Sequence, residues 1–317
     1  MLGMAVTRML LSENFRVVIH DSSVDALNDF VAELGSAAKR DVCYPICFDP
    51  SNSEAVAAAV ARIDADAWPV YVLINNSGIL SNTLVEETSI DEWRNVFAQN
   101  VDSAFLLSRA LLPAMRKRKW GRIVNTCSLA GKTGGVTTGV AYSTTKGALQ
   151  TLTFALARES AKDGITVNGI APAYIRTPTV ETYPEDVVDM LLRYIPVSRF
   201  CEPEEFAHVV RFLISPMSGF ITGEIIGTFG GLAGIFWYGP CDEDALWWVC
   251  DVPSPPFCAF ANGHGVSYVL RHARCMLTVS AWLLSLLSRC LCFSCFCVLD
   301  TLGVFLIASQ TRTAVYI

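Results

Sequence analysis

Short runs rich in β-favouring residues alternate with longer stretches of helical periodicity over residues 1–234. The β-rich runs predict strands at residues 16–20, 43–48, 70–75, 121–126, 165–170 and 224–228. The stretches between them predict helices at residues 24–34, 54–63, 90–118, 141–162 and 202–213. Residues 70–75 show no alternation, which is typical of a strand covered on both faces. This order predicts an α/β fold, a parallel sheet wrapped by helices and built from right-handed crossovers.

The pattern changes after the last predicted strand. Residues 235–317 contain no lysine but hold four of the seven tryptophans and eight of the twelve cysteines. The apolar stretch 276–309 is interrupted by Arg289 and Asp300, and its unbroken parts are shorter than the ~20 residues that a membrane helix needs. Three interpretations of this tail are open: a membrane anchor, a Cys-rich metal or disulfide module, and an artefact appended to a finished domain. The cysteines at 290–297 lack a paired ligand spacing, which argues against the second interpretation. The third is favoured, because the tail has no evident packing logic.

Composition narrows the class of protein. Apolar residues make up 52% of the chain, enough for a sizeable core. The net charge is −6, and the basic run at residues 116–119 is placed at a helix end, where cations complement the dipole, so no nucleic-acid partner is expected. Cys43, Cys47, Cys127 and Cys201 have no metal-type spacing and are typical of buried thiols, and no signal peptide is evident. We therefore expect a cytoplasmic protein without a metal.

The first candidate for chemistry is the pair Tyr142 and Lys146. Positions four apart share a helix face, so the phenol and the ammonium can point into one cleft. The pKa of a free tyrosine is about 10, and a neighbouring cation lowers it by favouring the phenolate. By itself this spacing is also that of a surface tyrosine and lysine on an ordinary helix.

Polar residues at predicted strand ends strengthen this interpretation. Ser128 follows the strand at 121–126, and ligands of α/β sheets bind at the carboxyl ends of strands. Asn75, Asn76, Ser77 and Gly78 form a polar turn after the strand at 70–75, although such residues are common in simple turns. Asn100 interrupts the long predicted helix, which asparagine does not favour.

Residues 1–234 resemble the classical short-chain dehydrogenase/reductase family. The matching motifs occur in the family's order, at 75–78, Asn100, Ser128, Tyr142 with Lys146, 172–177, 220–224 and Gly230-Gly231. The segments 121–125, 164–168 and 199–205 are similar to the branch of 3-oxoacyl-acyl carrier protein reductases. The resemblance implies a Rossmann-type doubly wound sheet and a homotetramer or homodimer acting on a small-molecule substrate.

The resemblance also implies residue roles. Tyr142 is the general acid in reduction, Lys146 supports it and binds the nicotinamide ribose, and Ser128 orients the substrate carbonyl. Asn100 supports a water that relays protons to Lys146. The remaining cofactor contacts implied by the family are Gly3, Asp21, Asp49, Asn76, Ser77, Gly78, Pro172, Ile175 and Thr177. Among them, the resemblance implies that Asp49 contacts the adenine and that Ile175 and Thr177 meet the nicotinamide end.

Asp21 bears on the choice of cofactor. It follows the strand at 16–20, and an acid there accepts hydrogen bonds from a ribose 2′-hydroxyl and repels a 2′-phosphate. Ser22 and Ser23 provide no arginine for such a phosphate. The sequence therefore favours NAD, with NADP as the alternative, unless Asp21 only caps the following turn.

The chain departs from the family at both ends. Gly3 matches the last glycine of the family's first turn, so the first strand and most of that glycine-rich turn are missing, which predicts weak cofactor binding and an unpaired sheet edge. The tail at 235–317 has no family counterpart and could block assembly.

These observations leave three hypotheses. The leading one is an NAD(P)-dependent oxidoreductase that interconverts a ketone and a secondary alcohol. The second is a specific 3-oxoacyl thioester reductase, and the third is an inactive or membrane-tethered relative without catalysis. The loop at 177–195, which sets the substrate in this family, has no distinctive polar anchor.

Overall fold

The computed structural model describes residues 1–37, 41–135, 137–177, 180, 182–232 and 313–316. Its strands form one parallel sheet in the order β2-β1-β7-β3-β4-β5-β6. The strands are β1 Arg16–Asp21, β2 Cys43–Cys47, β3 Val70–Asn75, β4 Gly121–Thr126, β5 Ile165–Pro172, β6 Ile225–Thr228 and β7 Thr313–Tyr316. The helices are α1 Leu2–Ser12, α2 Val24–Leu34, α3 Ser53–Ala65, α4 Ile90–Phe97, α5 Ser103–Arg118, α6 Ala130–Thr133, α7 Val140–Ser160, α8 Glu185–Tyr194 and α9 Pro203–Ile214.

Helices cover both faces of this sheet. Val17 and Ile19 of β1 point to the layer formed by α1, α2 and α9, whereas Val18 points to the layer formed by α3, α5 and α7. The three side chains are fully buried. Because successive strand residues face opposite sides, an unbroken apolar run is what a strand covered on both faces requires.

Polar side chains define where two of the helices begin. Ser23 Oγ accepts a hydrogen bond from Ala26 N at 3.2 Å at the start of α2. Asn52 Oδ1 accepts from Glu54 N and Ala55 N at 2.9 and 3.0 Å at the start of α3. These caps satisfy backbone donors that have no partner inside the helix.

The predicted α/β fold is confirmed, and the elements at 24–34, 70–75 and 121–126 have the predicted bounds. The long helix expected at 90–118 is instead divided by a π-helical turn, Ala98–Asp102. The loop expected at 177–195 contains α8.

The prediction of an unpaired sheet edge beside β1 is wrong for the part of the chain that the structure describes. β7 pairs in parallel with β1 and with β3, and the register places Val315 between Val18 and Leu73. It takes the interior position that the first strand has in a doubly wound sheet. The buried N–H and C=O groups of β1 and β3 need partners, and β7 provides them. The rest of the tail, 233–312, lies outside the described residues, and the domain division at residue 234 stays a prediction.

Candidate active site

A cleft of about 590 Å3 opens at the carboxyl edge of the sheet, between the ends of β1 and β3. These two strands flank β7, so the chain leaves the sheet in opposite directions on either side of the cleft. Such a switch point is where doubly wound sheets bind ligands. The predicted cofactor contacts that line the cleft are Gly3, Asp21, Asn76, Ser77 and Gly78.

Asp21 stands at the end of β1, where it lines this cleft. Its Oδ1 accepts a hydrogen bond from Ser23 N at 2.9 Å, so the carboxylate also holds the turn into α2. The turn-capping interpretation and the ligand-binding interpretation are therefore compatible, because a carboxylate has two oxygens and about four acceptor positions.

The polar turn after β3 is tied to the neighbouring strand. Asn76 Oδ1 accepts from Thr126 Oγ1 at 3.2 Å, which joins the ends of β3 and β4. Gly78 must be small, because a Cβ there would lie 2.9 Å from Asn100 Oδ1 and 3.6 Å from Lys146 Nζ. The Gly78 backbone, the Asn100 amide and the Lys146 ammonium therefore lie close together.

Asn100 lies inside the π-helical turn and is 1% exposed. Its Oδ1 accepts from Ile79 N at 2.7 Å, and its Nδ2 donates to Ile79 O and to Thr145 Oγ1, both at 3.0 Å. The Asn100 side chain thus links the segment after β3 to α7 by hydrogen bonds. Single π-helical turns in α-helices are frequent at functional sites.

Tyr142 and Lys146 occupy the first two turns of α7, as their spacing predicts. The Lys146 ammonium lies 5.5 Å from the centroid of the Tyr142 ring. Lys146 Nζ donates to Thr126 O at 2.8 Å, and the residue is 4% exposed. Among the described residues, no carboxylate forms an ion pair with it. A buried cation of this kind stabilises negative charge that develops on a nearby oxygen.

Ser128 follows β4 and borders a second, smaller cavity of about 60 Å3. Its Oγ accepts from Ala130 N at 3.1 Å, which leaves its O–H to donate to a ligand. The other polar side chains of this cavity are Thr133, Thr137, Thr138 and Tyr174. Burial raises the pKa of the adjacent Cys127 thiol to about 11, so this thiol is neutral near pH 7 and is a poor nucleophile.

A chain of buried amides holds α7 against the sheet. Asn75 Nδ2 donates to Asn125 Oδ1 at 2.7 Å, and Asn125 Nδ2 donates to Thr153 Oγ1 at 2.8 Å. Asn125 and Thr153 are fully buried. The network fixes the helix that carries Tyr142 relative to the strand that precedes Ser128.

The remaining predicted contacts lie outside the cleft lining: Asp49 directly precedes the lining residue Pro50, and Pro172, Ile175 and Thr177 lie at and after the end of β5. Asp49 is exposed, and hydrogen bonds from Ser51 N and Oγ lower the pKa of its carboxyl. Pro172 ends β5, and its carbonyl accepts from Leu129 N at 2.9 Å, next to Ser128. Ile175 is buried and pairs with Cys201, and Thr177 Oγ1 accepts from Val180 N at 3.4 Å. These residues do not line the cleft itself.

Several lining residues were not predicted from the sequence: His20, Asp29, Phe30, Glu33, Pro50 and Gln99. His20 alone left a signal, since it is a polar residue within an otherwise apolar run. Asp29 and Glu33 are four residues apart on α2 and share one face, but nothing in the sequence says which face meets the cleft.

The cleft has the chemistry that a nicotinamide dinucleotide needs. Asp21 offers carboxylate oxygens for ribose hydroxyls at one end, and Asn100 and Lys146 stand close to Gly78 at the other. Gly3, which also lines the cleft, lies in the first turn of α1, where backbone N–H groups lack helical partners and suit a pyrophosphate. The residues present therefore fit the cofactor.

None of the helices in the described ranges is long and apolar enough to cross a membrane. The apolar stretch 276–309, which the sequence offers as an anchor, lies outside the described residues.

Comparison with known proteins gives consistent matches over the same part of the chain. The family described as Enoyl-(Acyl carrier protein) reductase matches residues 2–233. The acetoacetyl-CoA reductase of Shinella zoogloeoides is 37% identical over 233 residues, which are 73% of this chain and 93% of that protein. The 3-oxoacyl-[acyl-carrier-protein] reductase of Aquifex aeolicus is 34% identical over 232 residues, 73% of this chain and 92% of that one.

A solved structure is similar in fold. The crystal structure of the 3-oxoacyl-[acyl-carrier protein] reductase of Brucella melitensis superposes with a TM-score of 0.68 at 33% sequence identity. The match covers 73% of this chain and 87% of that one.

Proposed function

The chain belongs to the short-chain dehydrogenase/reductase family, NAD(P)-dependent oxidoreductases of ketone and alcohol groups, and we propose that it reduces the ketone of a 3-oxoacyl thioester with NADH. One observation carries the proposal. Lys146, buried and bonded to the end of β4, faces Tyr142 beside the strand end that bears Ser128. An acid, its supporting cation and a carbonyl-binding hydroxyl thus share one edge of the sheet.

Each of these side chains has a distinct task. The Tyr142 hydroxyl protonates the substrate oxygen as it gains negative charge, and the Lys146 ammonium stabilises the phenolate that remains. The Ser128 O–H donates to the same oxygen and orients the carbonyl. Bound in the cleft, the dihydronicotinamide supplies the hydride. Alcohol oxidation uses the same groups with Tyr142 as the base.

Asn100 has a positioning role in this proposal. Its amide joins Ile79 to Thr145, the residue directly before Lys146. The water that relays protons to Lys146 stays a prediction, as do the cofactor contacts of Pro172, Ile175 and Thr177.

The preference for NAD is supported by charge. Asp21, Asp29 and Glu33 line the same cleft, and a 2′-phosphate placed there would meet like charges. Glu33 is paired with Arg8, at 2.9 Å between Oε1 and Nη2, so the repulsion comes chiefly from the two aspartates.

The substrate class is supported by the names of the relatives, which reduce acetoacetyl-CoA or 3-oxoacyl-carrier protein. The small cavity beside Ser128 is lined mainly by hydroxyl-bearing and apolar side chains, such as Thr138, Tyr174 and Leu232. In the proposal, this cavity takes the reacting end of the 3-oxoacyl group, and the remainder of the thioester extends outward from it.

The test measures NADH oxidation with acetoacetyl-CoA, and with a simple ketone for comparison, on the full chain and on Tyr142→Phe. Turnover of acetoacetyl-CoA that is lost in Tyr142→Phe supports the proposal. Turnover of the simple ketone alone would leave the family activity and overturn the thioester assignment. Absence of any dinucleotide binding by the full chain would favour the third hypothesis, an inactive relative.

Assembly and location stay predictions. Sedimentation of the purified chain would give its mass in solution.

A further inference from the structure

His20 is a histidine in the interior of a strand that otherwise buries aliphatic side chains. β1 reads Arg-Val-Val-Ile-His-Asp, and His20 is 6% exposed. It is the register partner of Ile46 on β2. An aliphatic side chain would pack equally well at this position. Burying an imidazole costs free energy unless it is hydrogen-bonded, so a polar contact of the ring must account for it.

The ring makes one strong contact. His20 Nε2 lies 2.7 Å from Phe48 O, and the two rings lie 4.1 Å apart at a tilt of 51°. A carbonyl oxygen only accepts, so Nε2 carries the proton and donates. In the neutral ring Nδ1 is then an acceptor, and it is buried without a partner among the described residues.

This contact fixes the start of a short turn. β2 ends at Cys47, and Phe48 is followed by Asp49, whose Oδ1 is held by Ser51. Gln99 Nε2 donates to Ser51 Oγ at 3.2 Å from the other side. The turn is therefore fixed by two hydrogen bonds, one from His20 to Phe48 and one from Gln99 to Ser51. Asp49 lies between these two contacts.

The turn borders the cofactor cleft. His20, Asp21, Pro50 and Gln99 all line it. We propose that His20 is a positioning residue for the adenine end of the cleft, and that it acts through the Phe48 carbonyl to set the direction of the Asp49 carboxylate towards the purine 6-amino group. This inference rests on the proposed function, because it takes a dinucleotide as the ligand and Asp49 as its adenine contact.

The protonation states agree with this role. Burial lowers the pKa of His20, while the Phe48 carbonyl, Asp21 and Asp49 act against that shift. The side chains of α3 and α5 that border the ring are aliphatic: Val60, Ile63, Leu107 and Leu111. A neutral ring keeps Nε2–H as its single donor, directed at Phe48. Asp49 is a carboxylate and only accepts, so its purine partner must donate, as a 6-amino group does and the 6-oxo group of hypoxanthine does not.

The experiment compares the dissociation constants of NADH and of its hypoxanthine analogue on the full chain, followed by dinucleotide fluorescence. The wild type is expected to prefer NADH about tenfold, which corresponds to one hydrogen bond to a charged acceptor. His20→Leu should bring the ratio close to one, and so should Asp49→Asn. His20→Gln, whose amide nitrogen can replace Nε2–H, should keep most of the preference. Ile46→Val, a packing change at the register partner of His20, is the matched control and should leave the ratio unchanged.

The outcomes separate the two proposals. A His20→Leu variant that binds NADH and keeps the wild-type ratio overturns the role of His20 and leaves the proposed function intact. If neither dinucleotide binds the wild type, the proposed function itself fails. If His20→Leu does not fold, His20→Asn replaces it, because its shorter amide cannot reach Phe48. A ratio equal to that of the wild type in His20→Asn then overturns the inference.

Discussion

The Lys146 ammonium lies 5.5 Å from the centroid of the Tyr142 ring and donates to the carbonyl of Thr126 at 2.8 Å. One residue on α7 is thus joined both to the proposed acid and to the end of β4. Ser128 follows that strand end by two residues. The position of the cation relative to acid and substrate is fixed by the helix and the strand together, and does not depend on a loop.

Tyr142→Phe tests the acid directly. The change removes the hydroxyl and keeps the ring beside Lys146, so kcat should fall by about 10²–10⁴ while the Kd of NADH changes little. Steady-state rates with acetoacetyl-CoA and fluorescence titration measure the two quantities. Tyr71→Phe, at a tyrosine of β3 whose ring packs against Trp120, is the matched control and should keep full activity. Equal rates in the two variants would remove Tyr142 from the mechanism.

Asp21→Asn tests the choice of cofactor. Loss of the charge should weaken NADH binding by about tenfold, because a hydrogen bond to a charged group is worth roughly 1.5–3 kcal/mol. It should strengthen NADPH binding by relieving repulsion. Asp25→Asn makes the same charge change on the exposed first turn of α2, outside the cleft lining, and should alter neither constant. An unchanged NADH to NADPH ratio in Asp21→Asn would show that Asp21 serves only the turn to Ser23.

Val315→Pro tests the interior position of β7. Proline removes a backbone donor from a strand that is paired on both sides, so a carbonyl of β1 or β3 loses its partner. The free energy of unfolding should fall by at least about 1–3 kcal/mol, measured by urea denaturation. Val315→Thr keeps the N–H and a β-branched side chain and should stay near the wild type. A proline variant as stable as the wild type would mean that β1 and β3 do not depend on this strand.

Much of the fold was predictable because the chain carries local signals for it. Residues 70–75 form an apolar run, residues 121–126 are centred on the β-branched pair Ile123 and Val124, and their predicted bounds match β3 and β4. The spacing of Tyr142 and Lys146 likewise predicts their shared helix face, which the structure has. Periodicity of two or of four residues is a local property, so it can be read without the rest of the chain.

The features that escaped prediction depend on distant partners. β7 pairs with β1 and β3, which lie about 300 and about 240 residues earlier in the chain, and no local pattern specifies such pairing. α1 is not among the helices predicted from the sequence, and its apolar face is buried against the distant helix α9. The π-helical turn at Ala98–Asp102 depends on the partners of Asn100 in another segment and in α7. His20 joins the cleft through Phe48, a residue of the next strand's end.

Thr153→Val tests the buried network that holds α7. Valine has the shape of threonine without the hydroxyl, so Asn125 Nδ2 would lose its acceptor in a fully buried position. An unsatisfied buried donor costs about 1–3 kcal/mol, and the free energy of unfolding should fall by that amount. Thr151→Val, two residues away on the exposed side of the same helix, should change it little. Equal stabilities of the two variants would show that Asn125 finds another acceptor.

The lowered pKa of His20 predicts a loss of stability on the acid side of neutrality. Burial is the main cause of the shift, so the unfolded chain takes up a proton near the ordinary value of 6.5 and the folded chain does so only at lower pH. Above that value both states are neutral and the group contributes no pH dependence. Below it the unfolded state binds the additional proton, and stability falls by up to about 1.4 kcal/mol per pH unit until the folded ring also titrates. Urea denaturation at several pH values between 7 and 5 should show this slope in the wild type and its loss in His20→Leu, whereas His208→Gln, at an exposed histidine of α9, should keep it. A slope that persists in His20→Leu would assign the acid sensitivity to other groups.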